Sequence, residues 1–141
     1  MNPLADALVT PLTSREDTVL IRHDATEISG VELYLLTGQI ANVLQNHGVE
    51  PGHRVAMQTE KTVEALALYL ACLRTGAVFL PLNTAYTPTE MEYFIDNAKP
   101  TVVVCDPKSE AILSKFTKCS SITLLTLNIF GKGSLNEEIL T

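Results

Sequence analysis

No apolar run in the chain is long enough to cross a bilayer. The longest unbroken run, residues 65–73, is far shorter than the roughly 18 residues that a membrane helix needs. The first residues also lack a basic segment followed by an apolar one, and the acidic residues Asp6, Glu16 and Asp17 argue against a transit peptide. We therefore expect no membrane partner and a cytoplasmic location.

Cysteine is scarce, and positive charge is outweighed by negative charge. The three cysteines, Cys72, Cys105 and Cys119, are widely spaced and mostly set in apolar sequence, which is typical of buried free thiols in a reducing compartment. No Cys-x-x-Cys pair and no His/Cys cluster with metal-ligand spacing is present, so the sequence predicts no metal site. The net charge of −6, without a basic stripe, argues against nucleic acid as a partner.

Glycine-rich phosphate loops are absent as well. No Gly-x-Gly-x-x-Gly motif follows a predicted strand, which excludes the dinucleotide fingerprint. The run GKGS at 131–134 contains a Gly-Lys pair, but a Walker loop needs glycine five positions before that pair and Ser or Thr directly after the lysine. Thr126 and Gly133 occupy those positions. We therefore predict an ordinary flexible loop for this run.

The stretch 63–106 alternates helices and strands with short connections. Helical spacing predicts a first helix that buries one stripe: Val63, Leu66, Ala67, Leu70 and Leu73. Arg74 is expected to face water, and the apolar run 77–80, ended by Pro81, predicts a strand covered on both faces. A capping box, in which Thr87 precedes Pro88 and Glu90, predicts the second helix, and the β-branched run 101–105 predicts another buried strand.

Weaker signals extend this pattern at both ends. They predict a short helix over 3–12 and a hairpin of strands 18–22 and 26–28 that turns at Asp24 and Ala25. The Ser29/Glu32 capping box predicts the start of the next helix, and His47-Gly48 predicts its end. A strand is predicted over 54–58. Beyond 106 they predict a helix capped by Asp106, a strand over 121–125, and a loop or frayed tail over 128–141. The fold class is therefore α/β, with an open, mostly parallel sheet, helices on both faces and a small N-terminal hairpin.

Several of these segments together resemble a known family. The runs LRTGAVFLPLN at 73–83, YTPTE at 86–90 and VVCD at 103–106 are similar to the N-terminal part of the adenylate-forming acyl-CoA synthetases, the AMP-binding enzymes. The runs QTEK at 58–61 and LNTAY at 82–86 most resemble the malonyl-CoA synthetase branch. The resemblance covers about residues 26–106. Gly30 stands where family members commonly have Tyr or Phe, a departure that concerns packing.

The resemblance implies an activity for the whole enzyme and little chemistry for this chain. Family members adenylate a carboxylic acid with ATP and magnesium and then transfer the acyl group to CoA. This sequence does not contain the family's phosphate-binding run, which ends in Pro-Lys-Gly. It also lacks the family's later catalytic segments and its mobile C-terminal domain. We therefore expect residues 1–141 to be a single partial domain without catalytic, cofactor-binding or metal-binding residues, inactive alone. We also expect Thr141 not to be the natural end of the protein.

The remaining polar and aromatic residues favour structural roles. Three histidines are predicted at turns and helix ends, in solvated or capping roles: His23, His47 and His53. Three tyrosines are predicted to pack rather than to bind a ligand: Tyr69, Tyr86 and Tyr93. The neighbours Ser114-Lys115 and Lys118-Cys119 lack an associated base at a recognisable spacing.

Three hypotheses about function follow. The first is the N-terminal, non-catalytic portion of an ATP-dependent acid–CoA ligase that acts on a small carboxylic acid. The second is a truncated α/β interaction or binding module, which could self-associate through an exposed sheet edge. The third is a flavodoxin-like nucleotide binder.

Overall fold

A computed structural model describes residues 3–15, 18–23, 26–118 and 120–140, and at residues 23 and 26 it describes the backbone alone. The chain starts with helix α1 (Pro3–Leu8) and a 3₁₀ turn (Thr10–Ser14). The predicted helix over 3–12 is therefore wrong in its second half. Pro11 is the reason, because a proline ring clashes with the carbonyl four residues earlier in an α-helix.

The predicted N-terminal hairpin is confirmed. Strand β1 (Val19–His23) pairs with β2 (Thr26–Ser29) in antiparallel register, with an irregularity near the start of β1. The predicted turn residues Asp24 and Ala25 lie outside the described residues. An ion pair between Arg22 and Glu27 joins the two strands on the exposed face, with an Nε to Oε1 distance of 2.9 Å.

Helix α2 (Gly30–Asn46) begins with the predicted capping box. The Glu32 backbone N–H donates to Ser29 Oγ (3.1 Å), and the Ser29 N–H donates to Glu32 Oε1 (3.3 Å). A Cβ added to Gly30 would lie only 2.5 Å from the Cβ of Arg15, so any larger residue would force a shift here. The glycine at position 30 is thus a matter of packing, as predicted.

The rest of the chain forms a parallel α/β unit. Its elements in chain order are β3 (Arg54–Gln58), α3 (Val63–Thr75), β4 (Val78–Pro81), α4 (Pro88–Ala98), β5 (Val102–Cys105), a 3₁₀ turn (Pro107–Ser109), α5 (Glu110–Thr117), β6 (Thr123–Thr126) and α6 (Ser134–Leu140). The strands lie in the order β4-β3-β5-β6, and every neighbouring pair is parallel. No helix that the structure describes is long and apolar enough to cross a membrane.

Helices cover both faces of this sheet, as predicted. Successive strand residues point to opposite faces, so Val102 and Val104 enter a larger core with α2, α3 and α6. Val103 and Cys105 enter a smaller core with α4 and α5. All four residues of β5 are buried because this central strand is covered on both sides.

Strand β4 was expected to be covered on both faces, and this expectation is wrong. It is an edge strand that pairs with β3 on one side, and Val78 keeps 51% of its surface exposed. Apolar composition alone does not distinguish an edge strand from a central one. Pro81, which has no N–H to donate, fits the end of an edge strand.

The buried face of α3 is broader than predicted. Leu66, which was assigned to the buried stripe, is 40% exposed, whereas Leu68, Ala71 and Cys72 are fully buried. The helix packs against α2 as well as against the sheet, so a single stripe underestimates its buried arc. Arg74 is also not directed to water. Its guanidinium donates to Tyr34 O and Thr37 Oγ1 on α2.

The predicted loop over 128–141 contains the seven-residue helix α6, which is a further correction. Leu135 is 1% exposed and belongs to the larger core, and α6 packs against α2 and β6. The Ser134 N–H donates to Thr126 Oγ1 at 2.9 Å. The helix is too short for its apolar spacing to stand out in the sequence, and the preceding glycines suggested a loop.

Candidate functional site

The carboxyl ends of the four parallel strands meet at one edge of the sheet. In open α/β sheets, sites form at this edge, where consecutive connections leave for opposite sides. Here β3 leads to β4 on one side, while β5 leads to β6 on the other, so the switch lies between β3 and β5. At this point the Asp106 N–H donates to the Gln58 carbonyl at 3.2 Å.

Gln58 is the central polar residue at this edge, and sequence reasoning did not single it out. The residue is 5% exposed, and its Nε2 donates to the Asn83 carbonyl at 2.9 Å. Asn83 Oδ1 in turn accepts from the Ala85 N–H at 2.8 Å. The end of β3 is thereby tied to the loop after β4. A glutamine at the end of an apolar strand was the available signal, because a buried amide requires a partner.

Two clefts open at the carboxyl edge. The larger, about 500 Å³, is lined by the ends of β3 and β4 and by the connection after β6: Met57, Thr59, Glu60, Lys61, Pro81, Leu82, Asn83, Thr84 and Ile129. The smaller, about 150 Å³, is lined by Gln58, Thr84, Tyr86, Pro88, Met91, Ser109, Ile112 and Leu113. Both combine apolar walls with a few polar groups, as small-molecule sites do. Among these described residues no nucleophile is paired with a base, so the clefts can bind and orient but show no catalytic pair.

A third cleft, about 400 Å³, lies at the opposite edge, near the amino ends of β5 and β6. It is lined by Ile95, Asp96, Lys99, Pro100, Thr101, Phe116, Ser120, Ser121 and Ile122. Its position is less typical of function, because ligands of open parallel sheets bind outside the carboxyl ends of the strands.

Asp106 has the capping role that the sequence indicated. Its Oδ1 accepts from the Lys108 N–H at 3.0 Å, at the start of the 3₁₀ turn that precedes α5. The carboxylate is thus engaged in local structure.

The histidines likewise have structural contacts. His47 ends α2, and its Nε2 lies 2.6 Å from Glu138 Oε2 on α6, a partner 91 residues away that no sequence pattern indicated. His53 Nδ1 accepts from the Glu50 N–H at 3.1 Å within the turn after α2. The side chain of His23 lies outside the described part of the chain.

The Gly-Lys-Gly-Ser run is an ordered connection and not the flexible loop that we expected. Asn128 Oδ1 accepts from the Phe130 and Lys132 N–H groups, at 2.8 and 3.0 Å. Ser134 Oγ accepts from the Thr126 N–H at 2.9 Å. These backbone N–H groups and the Ser134 hydroxyl already have hydrogen-bond partners within the chain, so the run does not form a phosphate-binding loop.

Two of the three cysteines are buried free thiols, as predicted. Burial raises the pKa of Cys72 to about 12. Burial, together with the nearby negative charges of Glu110 and Asp106, raises the pKa of Cys105 to about 12. A thiol with such a pKa stays protonated at neutral pH and is a poor nucleophile. Cys119 lies outside the described residues.

The aromatic and hydroxyl candidates are also explained by packing. Each candidate tyrosine ring contacts a phenylalanine ring, Tyr69 with Phe79 and both Tyr86 and Tyr93 with Phe94, at centroid distances between 4.9 and 5.6 Å. The Ser114 hydroxyl donates to the Ala111 carbonyl within α5, so it is not activated by a base.

The described residues hold no cluster of metal-ligating side chains. Across residues 3–15, 18–23, 26–118 and 120–140, no group of three or more His, Cys, Asp and Glu side chains is close enough to hold a metal. The polar groups nearest the switch point, Gln58 and Asp106, are committed to hydrogen bonds within the chain.

The fold and this edge define an α/β unit with a four-stranded parallel sheet covered on both faces. A family model of AMP-binding enzymes matches residues 10–138, and the chain belongs to this family. The resemblance predicted from the sequence is therefore confirmed, and the flavodoxin-like hypothesis is left without support.

Individual relatives agree with this assignment. The crystal structure of ATP-bound MatB from Rhodopseudomonas palustris superimposes with a TM-score of 0.88, with 44% identity over 99% of this chain and 28% of that one. A probable CoA ligase from Humulus lupulus is 29% identical over 84% of this chain and 25% of its own. The 3-oxocholest-4-en-26-oate–CoA ligase of Rhodococcus rhodochrous is 25% identical over 72% of this chain and 18% of its own length. The chain thus spans between about a sixth and somewhat over a quarter of the length of these relatives.

Proposed function

We propose that the chain is the N-terminal portion of an ATP-dependent acid–CoA ligase. The whole enzyme would adenylate a small carboxylic acid with ATP and magnesium and then transfer the acyl group to CoA. The observation that carries this proposal is the match over nearly the entire chain to ATP-bound MatB at 44% identity, within a family whose model covers residues 10–138.

The acid that we propose is malonate or a close relative. MatB is a malonyl-CoA synthetase, and its 44% identity to this chain exceeds that of the two ligases named above. The two runs that resemble the malonyl-CoA synthetase branch, 58–61 and 82–86, lie at the ends of β3 and β4. Residues 59–61 and 82–84 line the larger cleft at the carboxyl edge, and Gln58 and Tyr86 line the smaller one. This placement supports a role for the chain as one wall of the acid or CoA cleft.

Within that enzyme the chain would act as structural support without catalysis of its own. The two polar side chains nearest the switch point are engaged in hydrogen bonds that fix the strand ends, Gln58 with the Asn83 carbonyl and Asp106 with the Lys108 N–H. ATP, magnesium and CoA would be held mainly by the remainder of the enzyme. A reducing cytoplasmic location belongs to the proposal, because Cys72 and Cys105 are free.

The non-catalytic role is tested by assaying the purified 141-residue chain with ATP, magnesium, CoA and malonate. We expect no malonyl-CoA above a control without protein, while MatB from Rhodopseudomonas palustris forms it under the same conditions. Formation of malonyl-CoA by the isolated chain would show that it holds catalytic groups, and would refute the non-catalytic role.

The second candidate function is a binding module that self-associates. The observation that favours it is the edge strand β4, whose Val78 is half exposed beside an open row of backbone groups. If β4 pairs with a second copy, light scattering should show a dimer that Val78→Lys weakens, whereas Ile112→Lys, on the exposed side of α5, should not. A monomer at all concentrations would exclude this candidate.

A further inference from the structure

The smaller cleft at the carboxyl edge is lined by uncharged residues, whereas Glu60 and Lys61 bring charge to the larger one. On its apolar side lie Met91 and Leu113, which are each 1% exposed. The cleft has a volume of about 150 Å³, and a water molecule occupies about 30 Å³ in the liquid. It therefore has room for a small group of about five non-hydrogen atoms.

Gln58 is the most deeply buried polar residue in the lining of this cleft, at 5% exposed. Its Nε2 donates to the Asn83 carbonyl at 2.9 Å. This contact fixes the orientation of the amide, because a carbonyl oxygen can only accept. Oε1 is then the free end of the amide, and no residue that the structure describes donates a hydrogen bond to it.

This free acceptor is open to the cleft. Among the described residues, every buried side-chain nitrogen or oxygen atom that is sealed from water has a hydrogen-bond partner. Oε1 has none, so it is not sealed, and the cleft is the space that Gln58 lines. A largely buried acceptor is costly to leave unpaired, so we expect a donor group from whatever occupies the cleft.

Ser109 adds a second polar group to the lining. It lies at the N-cap position of α5, where a serine hydroxyl commonly accepts from the first turn of the helix, but it makes no capping hydrogen bond. Its hydroxyl is therefore available to a ligand as well.

The segments around this cleft favour a neutral ligand over an anion. Helix α4 carries acidic residues and no basic one, with Glu90 in its first turn. Asp106 and Glu110 flank the 3₁₀ turn that contains Lys108. Negative charge therefore outweighs positive charge here, and no lining residue could pair with a carboxylate.

We propose that the smaller cleft binds a small neutral ligand, a short-chain amide or alcohol whose N–H or O–H group donates to Gln58 Oε1. The apolar part of the ligand packs against Met91 and Leu113. The proposal does not depend on the ligase assignment, because the cleft is formed by this chain alone.

The test is an NMR titration of the isotope-labelled 141-residue chain with butyramide, methyl butyrate and butyrate. The three probes share one acyl chain, but only butyramide is both neutral and a hydrogen-bond donor. We expect butyramide to cause saturable shifts of the Gln58 side-chain amide and of the Ser109 backbone amide. Methyl butyrate should bind about three- to tenfold more weakly, because it cannot donate to Oε1. Butyrate should cause no saturable shift.

Two variants locate the site. Ser109→Leu should abolish butyramide binding because the larger side chain fills the cleft. Ser114→Leu is the matched control, since Ser114 lies on the same helix but does not line this cleft, and it should bind as the unaltered chain does. Gln58→Met removes the acceptor, while the Asn83 carbonyl keeps the Tyr86 N–H as a donor. In this variant butyramide should lose its advantage over methyl butyrate.

The comparison of the three probes uses the unaltered chain, so it decides the proposal even if a variant fails to fold. The absence of a saturable shift with butyramide would show that the cleft holds water only and would overturn the proposal. Equal affinity for methyl butyrate would refute donation to Oε1, and equal or tighter binding of butyrate would refute the preference for a neutral ligand. Shifts confined to residues outside the cleft, or binding that persists in folded Ser109→Leu, would place the ligand elsewhere and also overturn it.

Discussion

Arg74 shows how a single charged side chain joins two helices of this fold. Its Nη1 lies 3.1 Å from the Tyr34 carbonyl and 2.9 Å from Thr37 Oγ1 on α2, and the guanidinium carbon lies 4.6 Å from the centre of the Tyr34 ring. Thr37 itself is fully buried. The guanidinium therefore satisfies polar groups at the contact between α2 and α3, and it also stacks on an aromatic face.

We predict that Arg74→Met lowers the free energy of unfolding by about 1 to 3 kcal/mol, because the hydrogen bonds and the stacking contact are lost together. Arg74→Lys should recover only part of this, since an ammonium group lacks the planar fork. Urea denaturation measures both. Arg22→Ala is the control, because the Arg22–Glu27 pair is exposed and contributes less than about 1 kcal/mol. Equal effects of the variants at positions 74 and 22 would contradict the role of Arg74.

The buried thiols predict a loss of stability in alkali. The raised pKa values of Cys72 and Cys105 mean that the folded state keeps protons which the unfolded state releases above about pH 9. The free energy of unfolding should therefore fall as the pH rises from 9 towards 12, and be unaffected by these groups below 9. Urea denaturation at pH 8 and pH 10 measures this, and Cys72→Ala should reduce the fall.

Labelling gives an independent check on the thiols. In a Cys119→Ser background, a thiol reagent at pH 8 should react slowly until urea unfolds the chain, and then label two groups. Rapid labelling of either thiol in the folded state would contradict their burial.

At the scale of elements, Leu135 is the buried apolar residue of α6, and Ile139 packs against the same core while partly exposed. Leu135→Ala should lower the free energy of unfolding or of local α6 opening by about 2 to 4 kcal/mol, because the side chain is 1% exposed within the larger core. Hydrogen exchange of α6 and urea denaturation together distinguish local opening from global unfolding. Leu140→Ala, in the same helix but 80% exposed, should change either quantity by less than about 0.5 kcal/mol. A similar cost at both positions would mean that α6 is not docked through Leu135.

The elements that the sequence predicted well are those with local signals. The capping boxes of Ser29 with Glu32 and of Thr87 with Glu90 lie within four residues, and both are present. The elements that it predicted poorly depend on distant partners. Three features depend on which elements become neighbours: the exposure of β4, the contacts of Arg74 with α2 and the docking of α6. No local sequence pattern indicates which elements will be neighbours.

At the scale of the whole molecule, the family was readable from the sequence and the site was not. Motifs such as LRTGAVFLPLN at 73–83 form the end of α3, the connection after it and β4, and they identify the fold because the fold requires them. The clefts at the carboxyl edge are assembled from loops that follow separate strands, and Gln58 became prominent only through its contact with Asn83. The match to MatB covers 28% of that protein, so this chain corresponds to a minor part of it.

The most direct test of the central claim is to replace the corresponding N-terminal part of MatB from Rhodopseudomonas palustris with this chain and to measure malonyl-CoA formation. If the chain is a ligase portion that positions the site, the chimera should form malonyl-CoA within about two orders of magnitude of the MatB rate, the loss that a misplacement of roughly 1 Å can cause. The MatB remainder without any N-terminal part should be inactive. A folded chimera that binds ATP but forms no malonyl-CoA would contradict the account.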